Sequence, residues 1–463
     1  MKINSRFSPN IFRAYDIRGA YPREINEEIA YKVGLAFAEF VKKEKRNIRK
    51  LDVLIGRDNR PSSPALFKGA ARGIMDAGIN VVSLGVCTAP MFYFASQYYK
   101  FDDAGLMITA SHLSRRYNGF KLSREVPSPI DSQTGLAEIK KMVIGGEGAR
   151  LRPSNKGKLI KKNILDEYVK FVLKELNSKK LVPLRVVIDT GNAPTGLVIP
   201  RIFKKTRIRT FHIFSKLNSD FPNRALDCTK ARNLKGLKKE VLKRKADLGV
   251  AFDGDGDRIV FLDEKGTFVS PSVIAALAAS LILRKNPGEK IIYTPNQSRI
   301  VEEAIKENKG KAVMGRVGHS NIKQKMKKDD ILFGAEYSSH YYLRSHYFCE
   351  SPFFVLFKIL EELSGTKKRL SELTKPFQKY YHSGEINLKI ENKKGALRAL
   401  ENRFRRGKIS KIDGLRVNFP DWWFNIRPSH TEAVVRLVVE AKSRLLMEGK
   451  KKELIRLIAP FSF

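Results

Sequence analysis

Residues 104–122, A-G-L-M-I-T-A-S-H-L-S-R-R-Y-N-G-F-K-L, decide how the rest of this 463-residue chain is read. Leu106, Met107, Ile108 and Thr109 form an apolar run that ends in β-branched residues, the composition of a buried strand. The run feeds the small polar turn Ala110, Ser111 and His112, so a hydroxyl is presented at the end of a strand, where open α/β sheets place their chemistry. Arg115, Arg116, the turn signal Tyr117-Asn118-Gly119 and Lys121 follow, a set of anion and proton handlers around one serine. Adjacency of Ser111 and His112 alone carries little weight, because neighbours in a turn need not touch, and an ordinary loop serine is the competing reading.

Working upstream, residues 51–55 read as a strand running into Gly56-Arg57-Asp58-Asn59-Arg60-Pro61-Ser62-Ser63-Pro64. Ser63 as N-cap and Pro64 at the first helical position start the next helix, and residues 79–84 return as a strand. Strand, helix and strand at this spacing predict a right-handed crossover and a parallel sheet. An ion pair among Arg57, Asp58 and Arg60 would hold the serine loop. Earlier still, Asn26 caps a helix whose apolar face is Ile29, Val33, Phe37, Phe40 and Val41.

Downstream, the polar, glycine-rich connection 145–158 reads as a domain boundary. Beyond it the strand-turn-helix pattern recurs at 184–196 and again from residue 290 through the helix that starts at Ile300, which predicts a triplicated α/β unit. Residues 251–263, A-F-D-G-D-G-D-R-I-V-F-L-D, carry Asp253, Asp255 and Asp257 at alternating positions of an extended segment, so their side chains converge. Three crowded carboxylates repel unless a cation lies between them, and oxygen ligands favour a hard divalent ion, Mg²⁺ above all. A calcium EF-hand fails, because its sixth position is Arg258 and residues 259–262 read as a strand. A solvated acidic turn is the remaining alternative.

Two later loops and a third near the C-terminus add polar groups. Gly318-His319-Ser320 precedes a basic helix, and Glu336, Ser338 and His340 alternate a carboxylate, a hydroxyl and an imidazole, which suits vicinal sugar hydroxyls. Asn425-Ile426-Arg427-Pro428-Ser429-His430-Thr431-Glu432 offers a cationic, donor-rich cup for a dianion. Trp422 and Trp423 beside it read as packing residues, with sugar stacking as the alternative.

The length predicts several domains and the 42% hydrophobic content fills their cores. The N-terminus shows no signal-peptide apolar region and the longest apolar stretch, 273–283, is far short of a membrane span, which predicts a soluble cytoplasmic protein with no membrane contact. Three cysteines share no ligand spacing, so neither a disulfide framework nor a zinc site is expected. The formal net charge of +40 favours anionic substrates; Lys and Arg are scattered without interleaved aromatics, which speaks for a basic surface over a nucleic-acid groove without excluding nucleic acid.

These motifs together resemble the α-D-phosphohexomutases, closest to the bacterial phosphomannomutase/phosphoglucomutase group. T-A-S-H and Y-N-G-F-K match the phosphoserine loop T-A-S-H-N-P-x-x-Y-N-G-x-K, with Leu113-Ser114 in place of Asn-Pro. Residues 12–19 match the opening F-R-x-Y-D-I-R-G, residues 253–258 the metal loop, residues 318–320 the G-H-S loop, residues 336–340 the sugar loop with Ser339 in place of glycine, and residues 427–432 the phosphate loop R-P-S-N-T-E with His430 in place of asparagine. Arg436 keeps the family's arginine; Asn296 stands at a lysine position, Arg224-Ala225 at a His-His pair and Glu350-Ser351 at an Asp-Asp pair.

The resemblance implies three tandem mixed α/β domains of similar topology plus a smaller C-terminal α+β domain like the TATA-binding protein around a central cleft, with boundaries at 1–155, 156–267, 268–371 and 372–463. It implies reversible phosphoryl transfer between the 1- and 6-positions of mannose or glucose phosphate, through phospho-Ser111 and a hexose 1,6-bisphosphate. One Mg²⁺ per chain would sit on Ser111, Asp253, Asp255 and Asp257. Lys121 is the first choice for proton transfer, on the argument that desolvation and neighbouring cations lower its pKa, with Arg18, His112 and His340 in support. Tyr15, Arg258, Gly318, His319, Glu336, Ser338, His340, Arg427, Ser429, His430, Thr431 and Arg436 would bind substrate. An amino-sugar phosphate substrate, or a basic mutase-like scaffold that binds RNA without catalysis, are the alternatives, and the chain is expected to be a monomer or homodimer.

Overall fold

Apolar strands and one-sided helices bury their surfaces only by layering. In the computed structural model, which describes residues 9–45, 51–100, 104–125, 128–145, 155–204, 206–429 and 434–462, the N-terminal segment does this with β1 (Ile17–Ala20), α1 (Glu27–Glu44), β2 (Asp52–Arg57), α2 (Ser63–Asp76), β3 (Asn80–Val86), α3 (Ala89–Tyr98), β4 (Ala104–Ile108), β5 (Tyr117–Ser123), α4 (Leu136–Gly145) and β6 (Leu159–Lys161). The strands make one sheet in the order β1-β5-β4-β2-β3-β6. β2 pairs in parallel with β3 and β4, as the crossover rule predicts, and β5 turns back antiparallel on β4.

The Asn26 side chain accepts from the Ile29 amide and caps α1, and Ile29, Val33, Phe37, Phe40 and Val41 are all buried against the sheet. Each such side chain contributes about 1.5–3 kcal/mol. Three expectations shift. α2 begins one residue early, with Ser62 as the cap residue and no side-chain cap bond. Tyr117-Asn118-Gly119 is not a turn but the start of β5, because Gly119 lets β5 lie against β1: a Cβ there would stand 2.0 Å from the Ile17 carbonyl oxygen. β6, beyond the expected boundary at 155, still extends the first sheet by pairing with β3.

After α5 (Leu165–Leu173), a second sheet repeats the scheme with β7 (Arg185–Asp189), α6 (Thr195–Phe203), β8 (Arg209–Ile213), α7 (Lys235–Lys243), β9 (Leu248–Phe252) and β10 (Ile259–Asp263). β7 is parallel to β8 and β9, and β10 is antiparallel to β9 with Ile259 opposite Phe252. Residues 253–258 are therefore a hairpin connection, not a calcium loop between helices.

The chain divides into two compact units, Met1–Phe268 with Ser339–Leu370 and Val269–Ser338 with Ser371–Phe463. In the second, parallel strands Lys290–Tyr293, Lys311–Met314 and Phe333–Ala335 lie beside the helix Pro271–Leu283, whose every residue is buried. A helix apolar all round belongs inside a core, and no described helix is long and apolar enough to cross a membrane. The C-terminal part is an antiparallel sheet built on Leu415–Asn418, Trp422–Pro428 and Val435–Ala441. Helices Lys393–Arg403 and Arg444–Ile458 cover one face through Leu400, Leu454 and Ile458. Trp423 is fully buried and donates to Glu440, and Trp422 stacks on Phe419, so both act in packing. Cys87, Cys228 and Cys349 are all buried.

Candidate active site

Where β4 ends, the chain kinks: Ser111 takes a left-handed φ of +50° and its amide donates to Thr109 Oγ1 at 2.9 Å. Arg60 holds this kink. Its guanidinium, fully buried and paired with Asp58 at 2.9 Å, donates to the carbonyls of Ser111, Leu113, Ser114 and Tyr117 at 2.6–3.0 Å. Asp58 in turn accepts from Ser63 Oγ, and Asn118 reaches the hydroxyls of Ser62 and Ser63. The serine loop is thus fixed by the segment expected to fix it; the ion pair is Asp58–Arg60, while Arg57 donates to the Asp58 carbonyl.

The β9–β10 connection reaches the same place. A Cβ on Gly254 would lie 2.3 Å from the Ser111 carbonyl oxygen, so only glycine permits this approach. Ser111 Oγ donates to Asp253 Oδ2 at 2.8 Å, and Thr109 Oγ1 lies 3.3 Å from Asp255 Oδ2. Arg224 buttresses the connection from outside, bonding Asp189 at 2.7 Å and the Phe252 carbonyl at 2.6 Å. No spacing in the sequence links residues 189, 224 and 252; the sheet brings them together.

Asp253, Asp255 and Asp257 are at most 1% exposed, which rules out a solvated turn. Each offers an oxygen within 4.8 Å of the others, and Asp255 Oδ1 is buried without a hydrogen-bond partner among the described residues. Burial and the charges of Asp257 and Asp255 push the Asp253 carboxyl well above its usual range. This crowding, together with a buried carboxylate oxygen that no described donor satisfies, fits a hard divalent cation.

Lys121 departs from expectation. Its ammonium is not beside cations: Nζ lies 2.9 Å from Oδ2 of both Asp255 and Asp257. Burial alone would lower its pKa, but Asp255 and Asp257 outweigh burial and raise it well above the usual value. With these carboxylates as its neighbours the ammonium form is favoured, so the neighbouring cations expected to lower its pKa are not what surrounds Lys121. His112 presents Nδ1 3.3 Å from Ser111 Oγ, and burial with Arg258 and Arg18 holds it well below the usual histidine range, hence neutral. Arg258 Nε lies 3.1 Å from His340 Nε2, which is 3.2 Å from Asp257 Oδ1. Ser339, at the family's glycine position, has φ +68°. Arg18 pairs with Asp16 at 2.7 Å, and Tyr15 is half-buried next to it.

The remaining candidates lie in the second unit. Glu336 is buried and accepts from the Gly318 amide at 2.8 Å, where Gly318 starts the helix His319–Asp329. Ser338 is half-buried and ends this segment of the unit. Arg427, 3% exposed, sits opposite Arg436 on the neighbouring strand and donates to Glu385 at 3.0 Å. The Ser429 amide bonds the Val434 carbonyl; His430 and Thr431 lie outside the described residues. Sequence reasoning missed Glu385 and its bond from Asn296, because nothing near residue 385 marks a site.

Four family models match in chain order: phosphoglucomutase/phosphomannomutase α/β/α domain I over residues 9–147, domain II over 166–266, domain III over 270–380 and the C-terminal domain over 385–457. The phosphomannomutase of Escherichia coli (strain K12) is 34% identical over 456 residues, covering 96% of this chain and 98% of that protein. A phosphomannomutase of Methanocaldococcus jannaschii is 33% identical, covering 97% of each. The crystal structure of a phosphoglucomutase/phosphomannomutase family protein from Burkholderia thailandensis superposes with a TM-score of 0.88 at 27% identity over 99% of both chains. With a serine hydroxyl held on an acidic triad and every domain of the family in order, this chain belongs to the phosphoglucomutase/phosphomannomutase family of α-D-phosphohexomutases.

Proposed function

We propose that this phosphohexomutase moves a phosphoryl group between O1 and O6 of mannose or glucose phosphate, with Ser111 as the carrier. The observation that carries the reading is the Ser111 Oγ–Asp253 Oδ2 contact of 2.8 Å, which sets a nucleophilic oxygen on the buried acidic triad. In the forward half-reaction the free sugar hydroxyl attacks phosphorus of phospho-Ser111, the P–Oγ bond breaks, and a hexose 1,6-bisphosphate forms. After the bisphosphate turns round, Ser111 Oγ attacks its other phosphorus, the sugar P–O bond breaks, and the phosphoserine is restored. The neutral His112 Nδ1, 3.3 Å from Oγ, relays one proton in each half-reaction, from the attacking sugar hydroxyl to the departing Ser111 Oγ in the forward step and from Ser111 Oγ to the departing sugar oxygen in the return step, so the imidazole ends each step neutral.

A Mg²⁺ ion on Asp253, Asp255, Asp257 and the seryl oxygen would neutralise charge building on the transferring group. Lys121 and Arg258 flank the same triad as fixed cations, and they favour the transition state by position and charge. Arg427, Ser429, Thr431 and Arg436 would grip the phosphate that is not moving. Gly318, His319, Glu336, Ser338 and His340 would hold the sugar, and Tyr15 and Arg18 would contact the phosphoryl end.

The test is conversion of mannose 1-phosphate, glucose 1-phosphate and glucosamine 6-phosphate with Mg²⁺ and a glucose 1,6-bisphosphate primer, with and without chelator. Metal-dependent turnover of the first two, lost in Ser111→Ala, is expected. Preference for glucosamine 6-phosphate would reassign the substrate, and full activity of Ser111→Ala would overturn the reading.

A further inference from the structure

Arg427 and Arg436 face each other directly across paired strands, an arrangement that is destabilising unless an anion lies between them. The structure supplies that anion from within. Glu385 Oε1 accepts from Arg427 Nη2 at 3.0 Å and from Asn296 Nδ2 at 2.9 Å, while Oε2 lies 3.7 Å from Arg436 Nη1. Among the described residues Arg427 Nε, in a side chain 3% exposed, makes no hydrogen bond and has only the Asp413 carboxylate at 3.9 Å, so the guanidinium keeps donor capacity that Glu385 does not use. Burial would raise the Glu385 carboxyl, but Arg427, Arg436 and Asn296 outweigh it and hold it below the usual range, so the charge is present at neutral pH.

We propose that Glu385 is a resident counter-ion that occupies the phosphate position of this cup and must give way when a substrate phosphate arrives, so that it sets how tightly the non-transferring phosphate is held. The inference rests on the reading of Arg427 as the phosphate grip. Its chemical logic concerns release: a bisphosphate that must leave this cup and return the other way round gains from a carboxylate able to take over the arginines as it departs. Glu385 is therefore a positioning residue that competes with substrate rather than one that touches it. A competitor that fills the cup most of the time lowers apparent anion affinity by the fraction of time the cup is open.

Calorimetric titration of the full chain with inorganic phosphate tests this on wild type, Glu385→Gln, Glu385→Gln/Arg427→Met and the exposed-site control Glu391→Gln. Glu385→Gln should bind phosphate about tenfold tighter, the gain should vanish in the double variant, and Glu391→Gln should match wild type. In the mutase assay the same variant should show a lower KM for mannose 1-phosphate together with a lower kcat, as release slows, and Glu385→Asp should restore the wild-type split. Asn296→Ala, which frees the carboxylate without changing charge, should shift phosphate binding the same way and serves if Glu385→Gln does not fold. Weaker or unchanged phosphate binding by folded Glu385→Gln overturns the inference, since a residue that merely orients Arg427 would behave so. Tighter phosphate binding without any mutase activity would leave this inference standing and remove the proposed reaction instead.

Discussion

Asp253, Asp255 and Asp257 are crowded in a fully buried loop, and the cost of that crowding makes metal binding measurable apart from catalysis. A ligand that binds only the folded state at about a hundred times its dissociation constant adds about 2.7 kcal/mol. Millimolar MgCl2 should therefore raise the melting midpoint of the wild type by a few degrees, and Asp255→Asn should lose most of the rise; an equal shift in both would place the ion elsewhere. Chelator should reverse it. The triad was legible in the sequence because its geometry is local: alternating residues of an extended segment share a side. The partners were not. Lys121 comes to the triad from β5 and Thr109 from the end of β4, through pairings that no spacing in the chain encodes. That is why the ammonium was expected beside cations and lies instead between two carboxylates. The charge on Lys121 supports a further expectation: Lys121→Met leaves Asp255 and Asp257 uncompensated and should cut kcat by about 10²-fold or more, while Lys121→Arg, still cationic, should retain part of it.

At the scale of elements, the most informative side chain is Arg60, which ties the first turn after β2 to the loop after β4 through four carbonyls. Lysine keeps the charge but not the planar fork. Arg60→Lys should cost about 1–3 kcal/mol of stability by leaving buried carbonyls unsatisfied, and kcat should fall with KM little changed, because the loop that carries Ser111 loosens. A normal kcat with a lowered melting midpoint would make Arg60 a purely structural support. A second element-scale expectation concerns acid. Burial pulls His346, tilted against the Phe171 ring, down to about 3, and Glu175 at 3.7 Å does not offset it. The folded state then stays unprotonated while the unfolded state takes up a proton near pH 6.5. Stability contributed by the neutral ring is present above pH 6.5 and is lost as pH falls from 6.5 towards 3, at about 1.4 kcal/mol per unit. His346→Asn should flatten that part of the melting-midpoint profile between pH 6.5 and 4.5, and an unchanged slope would show that other groups set it. Helix α1 was legible from its 3.6-residue apolar period, and the parallel β2–β4 core and the strand β10 from short continuous apolar runs that are buried on both faces. β5 was misread at its start, since Asn118-Gly119 carries a strong turn signal; the glycine is there for the close approach of β1, which only the tertiary pairing reveals.

At the scale of the whole molecule, the formal charge of +40 has no single motif to explain it and acts through the field of the surface. Such a field has two consequences of opposite sign. It draws phosphate dianions towards the protein, and it repels itself, which weakens the folded state. Both are screened over a Debye length of about 10 Å at 0.1 M salt, while the buried contacts of the triad and of the Arg427–Glu385 pair are screened much less. Raising NaCl from about 20 to 200 mM should therefore raise KM for hexose phosphate several-fold, leave kcat nearly constant and raise the melting midpoint. The split separates surface from site: a kcat that fell with KM unchanged would mean that salt reaches the reacting groups. Replacing surface Lys450, Lys451 and Lys452 on the helix Arg444–Ile458 with glutamine, three charges among many, should shift KM only slightly if the field is diffuse. A large shift from these three alone would mean that the basic residues are not a general coat but a guide placed for the substrate.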